Sequence, residues 1–107
     1  MNRKETYKRN SLLRNILTKH KGFENAIKAK DICEQMGEYG YKINPRYLPI
    51  IIQKLRWERG LPISYIRSKG YFIAVSKSDI QKAIDDMELQ ISSLRTTINF
   101  MKGFILE

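Results

Sequence analysis

The spacing of apolar residues predicts two short helices in the first forty residues. The first is expected over residues 5–21, before Gly22, and its apolar face holds Leu12, Leu13, Ile16 and Leu17. The second is expected over residues 29–36, with Gly37 as its end, and its buried face holds Ile32, Cys33 and Met36. Between them, residues 23–28 are too few for more than a connecting segment or a small edge strand.

A third helix is predicted from Asn44 to about Arg59. Asn44 is a favourable N-cap, Pro45 suits the first helical position, and one face is apolar through Leu48, Ile52 and Leu55. Pro49 removes a backbone hydrogen bond and its ring crowds the preceding turn. We therefore expect this helix either to begin irregularly near Tyr47 or to bend in its first turn.

The hydrophobic period changes after residue 60. Residues 63–66 and 71–75 are rich in β-branched and aromatic side chains, and residues 67–70 between them have the composition of a turn. This pattern predicts a β-hairpin with a basic tip. The fold class expected from the whole chain is mainly α with a small β-hairpin.

The last segment has the most regular pattern of the chain. Ser76 or Ser78 is expected to cap a helix of about 24 residues, and its apolar residues alternate in steps of four and three: Ile80, Ile84, Met87, Ile91, Leu94, Ile98 and Met101. Isoleucine at one position of such a heptad, with Leu or Met at the other, favours a parallel two-stranded coiled coil.

A compact body of about 65 residues can cover about the first two turns of this helix, so the remainder needs a partner. We expect a homodimer through residues 80–101; the alternative is a helix that folds back on its own domain. The predicted organisation is a body at residues 1–77 and a dimerisation helix at residues 78–107.

Positive charge is concentrated near the N-terminus. Twenty Lys and Arg oppose eleven Asp and Glu, which gives a net charge of +9. Residues 1–30 carry nine basic and two acidic side chains, whereas residues 78–107 carry three and five. A basic body with an acidic last segment favours a polyanionic partner for the body; the alternative is a basic surface that only confers solubility.

Composition excludes several classes of protein. Hydrophobic residues make up 42% of the chain, so wholesale disorder is excluded. No stretch approaches the roughly 20 apolar residues that span a bilayer, and no apolar segment follows the charged N-terminus, so we expect neither membrane attachment nor secretion. Cys33 has no second cysteine to pair with. The expected location is the cytoplasm of a bacterial cell or phage-infected host.

Catalytic chemistry finds little support in the residues. His20 is the single histidine and lies at a Lys-rich helix end, and Cys33 lies on a predicted buried face. These two residues cannot form a zinc site of the usual kind, and no phosphate-binding glycine loop or nucleophile elbow occurs. We expect no enzyme activity, no metal, no cofactor and no small-molecule ligand.

The order of predicted elements resembles a winged helix-turn-helix DNA-binding domain. Residues 30–37 resemble its second helix and turn glycine, and residues 55–63 with 69–73 resemble the end of its recognition helix and its wing. The similarity covers residues 11–76. It is greatest to the version in the N-terminal domain of the biotin-operon repressor and in small bacterial and phage regulators. The turn before the third helix is longer than in that family, and Pro49 replaces a polar, base-facing residue.

The resemblance implies that the third helix enters the major groove and that the hairpin is the wing. With its apolar face inward, this helix is expected to present outward Arg46, Tyr47, Ile50, Gln53 and Lys54. Arg46 and Gln53 can contact base edges, and the other polar residues can reach phosphates. The alternative is that these are solvated positions of a surface helix.

Two further basic groups are candidate phosphate contacts. The hairpin tip offers Arg67, Ser68 and Lys69, and the N-terminus offers Arg3, Lys4, Lys8 and Arg9. The alternatives are an ordinary polar turn and a frayed, solvated end.

The function expected is sequence-specific binding of double-stranded DNA as a dimer, in a transcriptional regulator, most often a repressor. One alternative within DNA binding is an accessory protein of phage replication or recombination. An alternative of another class is a protein-interaction module that uses the coiled coil and binds no specific DNA.

Overall fold

The structure, a computed structural model, describes residues 1–105. Its elements follow the chain in this order: α1 (Arg3–Thr18), α2 (Ala29–Glu38), α3 (Leu48–Arg59), β1 (Ile63–Ile66), β2 (Gly70–Ile73) and α4 (Lys77–Ile105). The strands form an antiparallel hairpin in which Ile63 lies opposite Ile73. The prediction of a mainly helical chain with a small hairpin and a long last helix is confirmed.

Helix α1 begins and ends earlier than predicted. The side chain of Asn2 accepts a hydrogen bond from the backbone N–H of Glu5 at 2.8 Å, which caps the helix. The helix ends at Thr18 because the next residues pair with β2. The N–H of Ile73 donates to the carbonyl of His20, and the N–H of Gly22 donates to the carbonyl of Ile73, both at 2.8 Å.

The segment between α1 and α2 therefore lies along the free edge of β2. At its far end Ile27 and Tyr71 exchange two backbone hydrogen bonds of 2.8 Å, and a short 3₁₀ turn spans Phe23–Asn25 between the two contacts. Residues 23–28 were expected to form a connecting segment or a small edge strand. They connect two helices, and Ile27 forms one isolated β-bridge at the edge of β2, so each expectation is met in part.

Helices α2 and α3 show where the predicted boundaries fail. Helix α2 continues through Gly37 to Glu38, so Gly37 does not end it; the left-handed residue that follows is Gly40, with φ of +88°. Helix α3 begins only at Leu48, and Pro49 lies in its first turn, where a missing N–H costs little. Of the two expectations for Pro49, the irregular start is observed.

The predicted apolar faces meet in one core. Within this core, the side chains with almost no exposure come from α1, α2 and α3: Leu13, Leu17, Ile32, Met36, Leu48, Ile52 and Leu55. Cys33 packs against this core but is only half-buried. A second, smaller cluster joins the hairpin to α4 through Ile66, Phe72, Ala74 and Ala83.

Helix α4 is fastened to the body along a narrow strip near its start. Ser76 Oγ accepts the N–H of Asp79 at 3.1 Å, as a capping box requires, and the buried Asp79 carboxylate accepts the N–H of Val75 at 3.0 Å and of Phe23 at 3.4 Å. Four residues later Ala83 packs in the second cluster.

The rest of α4 projects from the body. It has 29 residues rather than about 24, and residues 91–105 are all exposed. The radius of gyration is 16.6 Å and the longest dimension is 54 Å, against about 13 Å for the radius of a compact chain of this length. The chain is therefore a small body with one protruding helix.

Candidate nucleic-acid interface

Helix α3 exposes only part of the predicted surface. Ile50 and Lys54 lie on its outer side, and Tyr47 occupies the N-cap position, also exposed. Arg46 lies in the turn before the helix, where its N–H donates to the Asn44 side chain at 2.9 Å. Arg46 and Tyr47 thus lie at the N-terminal end of α3 and in the turn that leads into it, and Lys54 lies in the middle of the helix.

Gln53 is half-buried rather than fully exposed on the outer side of α3. Its Oε1 accepts a hydrogen bond from Arg56 Nη1 at 2.6 Å, and Arg56 Nε donates to the carbonyl of Ile63 at 2.7 Å. Burial lowers the pKa of the Arg56 guanidinium from its ordinary value. This tether turns Gln53 toward the hairpin, so the amide of Gln53 is partly committed within the chain and is a poor candidate for reading a base.

Trp57 is a residue that the sequence prediction missed. Its side chain is 76% exposed, and it follows Ile50 by seven residues and Lys54 by three, which places all three on one helical face. The seven-residue spacing between Ile50 and Trp57 was the feature of the sequence that could have placed Trp57 on this face. A large exposed indole beside a lysine can stack on a base or cover an apolar partner.

The hairpin tip is held more tightly than a free polar turn. The Arg67 guanidinium lies 3.3 Å from the Asp86 carboxylate, which also accepts the Arg67 backbone N–H at 3.2 Å. These hydrogen bonds and the positive charge lower the pKa of Asp86. The ammonium of Lys28 donates to the carbonyl of Ser68 at 2.9 Å.

These contacts change the charge that the tip presents. Asp86 pairs with Arg67, whose side chain stays 52% exposed, so Arg67 is less available to a phosphate than an unpaired cation would be. The Lys69 ammonium lies 5.2 Å from the centre of the Phe23 ring, and Lys82 lies 4.5 Å from the same ring. Lys69 and the hydroxyl of Ser68 remain exposed, and they are the tip's available polar groups.

The N-terminal basic residues are part of an ordered helix. Arg3, Lys4 and Lys8 are exposed on the first turns of α1, whereas Arg9 is half-buried and its Nε donates to the Asn10 side chain at 3.1 Å. The structure therefore does not favour the frayed-end alternative. Nearby, the Tyr7 ring lies 5.8 Å from the Arg59 guanidinium.

This contact places the basic start of α1 beside the last residue of α3. Arg46, by contrast, precedes the first residue of α3, a helix of 12 residues and roughly 18 Å. The predicted phosphate contacts on α1 and before α3 are thus not brought into one cluster. Arg46 and the basic residues of α1 lie at opposite ends of α3, with Ile50, Lys54 and Trp57 between them.

A groove separates α3 from α4, with β1 along its floor. Its volume is about 660 Å³, and its lining comes from both helices and the hairpin, including Pro49, Gln53, Tyr65, Ile84 and Met87. Most of the lining is apolar. Pro49, which departs from the family pattern, forms part of this wall.

The apolar face of α4 opens into this groove and continues beyond it. The rest of the described chain leaves these residues between 36% and 63% exposed: Ile80, Ile84, Met87, Ile91, Leu94, Ile98 and Met101. The body contacts the first turns of α4 through Asp79, Ala83 and Asp86 but leaves Ile80 and Ile84 partly exposed. The alternative in which the helix folds back on its own domain is not observed.

The two residues considered for catalysis, His20 and Cys33, have the surroundings of residues that stabilise the fold. His20 Nδ1 lies 2.9 Å from the carbonyl of Asn25, and burial raises the pKa of the Cys33 thiol. Among residues 1–105, no group of three or more His, Cys, Asp or Glu side chains is placed to hold a metal ion. Within the same span, no helix is long and apolar enough to cross a membrane.

Comparison of the chain with protein-family models, with curated proteins and with solved structures finds no match in any of the three.

Proposed function

We propose that this chain is a dimeric, sequence-specific DNA-binding protein with a winged helix-turn-helix body, and that it acts as a transcriptional regulator, most simply a repressor. The observation that carries the proposal is the arrangement of three helices followed by a hairpin whose inner strand pairs with the segment between the first two helices. That arrangement is the one in which a third helix is presented to the major groove and a hairpin flanks it.

The charge distribution supports this proposal. The exposed basic residues of the body include Arg46, Lys54 and Lys69, whereas the acidic side chains of α4 lie on the helix that would join two subunits. Phosphate contacts supply most of the affinity of such a protein, and a few base contacts supply specificity. With the Gln53 amide hydrogen-bonded to Arg56, Arg46, Lys54 and Trp57 become the best candidates for contacts to bases.

A salt titration tests the proposal. Affinity for a duplex of about 30 base pairs should fall with salt at a log–log slope of about −0.9 per phosphate contact. Lys54→Ala should weaken binding and flatten that slope by about one unit per subunit. If the affinity for the duplex does not change with salt, phosphate contacts do not hold the complex, and the DNA-binding proposal fails.

A protein-interaction module is the second candidate, and the exposed Ile50 and Trp57 favour it. An apolar pair on α3 fits a protein surface as well as a DNA groove. The two candidates differ in their response to DNA sequence. Weak binding that is equal on selected and scrambled duplexes supports the interaction module. An accessory role in phage replication or recombination would use the same DNA contacts, and the binding assay does not separate it from regulation.

A further inference from the structure

The flanks of the α4 seam hold charges that only one helix orientation can pair. Extended to Ile105, the seam has isoleucine at positions a and Ile, Met or Leu at positions d. The residues on its e flank are Gln81, Glu88, Arg95 and Lys102, and those on its g flank are Ala83, Gln90, Thr97 and Phe104.

In a parallel pair each g residue meets the e residue five positions later on the partner. The three contacts are then Ala83 with Glu88, Gln90 with Arg95, and Thr97 with Lys102. Each sets a charged side chain against an uncharged one, so a parallel pair gains no ion pair along its flanks.

In an antiparallel pair e residues meet e residues and g residues meet g residues. When all layers from Ile80 to Ile105 are matched, Glu88 of each helix meets Arg95 of the other, which gives two symmetric ion pairs. On the g flank, the large Phe104 of the partner lies at the level of Ala83, which packs against the chain's own hairpin. Charge is complementary in this orientation.

The groove beside α4 lies on that same g flank. Ala83 and Gln90 line it, together with Pro49 and Tyr65 on its other walls. The last turns of a partner helix laid along Ile80 and Ile84 therefore enter the groove. Those turns carry the exposed Phe100 and Phe104, whose rings stack edge-on with centres 5.2 Å apart.

We infer that two copies of this chain pair through α4 in antiparallel orientation, and that the last turns of each α4, with Phe100 and Phe104, fill the groove between α3 and α4 of the other copy. This inference rests on the dimer of the proposed function and specifies its geometry. It replaces the parallel pairing favoured by the a and d residues alone. The groove is complete only when the partner supplies its aromatic pair.

The orientation also sets the distance between the two bodies. They lie at opposite ends of the helix pair, and the two copies of Ile80 are separated by 25 residues, or about 37 Å along the helices. One turn of DNA separates half-sites by about 34–36 Å. The two copies of Ile80, near the start of each α4, are thus separated by a distance close to one helical turn of DNA.

Cysteine cross-linking tests the orientation. In a Cys33→Ala background, Ile84→Cys and Met101→Cys are made separately, because these two positions share one layer of the antiparallel pair. Each variant alone should remain uncross-linked under oxidation, since like cysteines are about 25 Å apart. An equimolar mixture, exchanged and then oxidised, should give a disulfide-linked heterodimer.

Charge reversal provides a second readout. Glu88→Arg and Arg95→Glu should each weaken the dimer by roughly tenfold, because each sets two like-charged pairs on the e flank. Mixing the two variants should restore wild-type affinity, since both pairs are then opposite in charge. Phe104→Ser should also weaken the dimer, whereas Leu89→Ser, on the outer face of α4, should not.

The outcomes separate this inference from the proposed function. Strong cross-linking of Ile84→Cys alone and of Met101→Cys alone shows parallel pairing and overturns the inference, while dimeric DNA binding stands. A wild-type chain that sediments as a monomer overturns both the orientation and the dimer. Loss of DNA binding with the expected cross-links overturns only the DNA-binding function.

Discussion

A charge placed in the middle of the α4 seam should separate the dimer without unfolding the body. Ile91 is 50% exposed in the single chain and lies beyond the strip that anchors α4. Full burial of an isoleucine contributes about 1.5–3 kcal/mol, so pairing should recover roughly half of that for each copy, or about 1.5–3 kcal/mol per dimer. Ile91→Asp removes this contribution and desolvates two carboxylates, at several kcal/mol each.

The resulting loss is at least a hundredfold in dimer affinity, because each 1.4 kcal/mol is a factor of ten. Leu89→Asp is the matched control, since Leu89 is 64% exposed on the same helix but faces away from the seam. Sedimentation at micromolar concentration should show a dimer for wild type and for Leu89→Asp, and a monomer for Ile91→Asp. Equal loss in both variants, or a cooperative loss of the body's helicity, refutes the assignment of this face.

Three further substitutions or reactions test the body itself. Gly70→Ala should lower the free energy of unfolding, measured in urea, by roughly 2–4 kcal/mol. The reason is that φ of Gly70 is +112° and an added Cβ would meet the carbonyl oxygen of Ile27. Gly37→Ala is the control: it lies in a helix with open space around it and should be neutral or stabilising by about 0.5–1 kcal/mol. Asp79→Ala should lower the free energy of unfolding in urea by about 1–3 kcal/mol, because the backbone N–H groups of Phe23 and Val75 lose their acceptor. Cys33 should be alkylated far more slowly in the native chain than in urea. Because burial raises its pKa above 9.0, stability should hold below pH 9 and decline as pH rises further.

Local patterns predicted the helices and the hairpin because these depend on nearby residues. The period of Leu13, Ile16 and Leu17 decides which face of α1 is buried, and Ser76 caps α4 through a residue three positions away. The heptad seam likewise follows from spacing alone, and its exposure in the single chain agrees with a face kept for a partner. Such features need no knowledge of distant contacts.

The errors at helix ends came from competition that the sequence does not reveal. Gly37 and Gly40 stand three residues apart, and either could follow a helix; only the second adopts a positive φ. The end of α1 is decided by strand-like pairing of His20 and Gly22 with Ile73, fifty residues away. Long-range hydrogen bonds of this kind override local helix propensity.

The candidate interface was predicted less completely for the same reason. Gln53 and Lys54 are neighbours in sequence, but the Gln53 amide is half-buried and hydrogen-bonded to Arg56, which the hairpin holds, whereas Lys54 is exposed. Arg67 is read locally as an exposed turn cation, yet Asp86 on α4 holds it. Side chains on an amphipathic helix can be assigned to a face from sequence, but their partners on other elements cannot.

Selection of bound duplexes from a random pool, at about 0.15 M salt, tests the central claim most directly. A dimer that reads DNA predicts an enriched consensus with two-fold symmetry, whose half-sites have centres about one helical turn apart. The purified wild-type chain is used without alteration. A pool that remains random after repeated rounds, despite a dimer in solution, contradicts sequence-specific DNA binding.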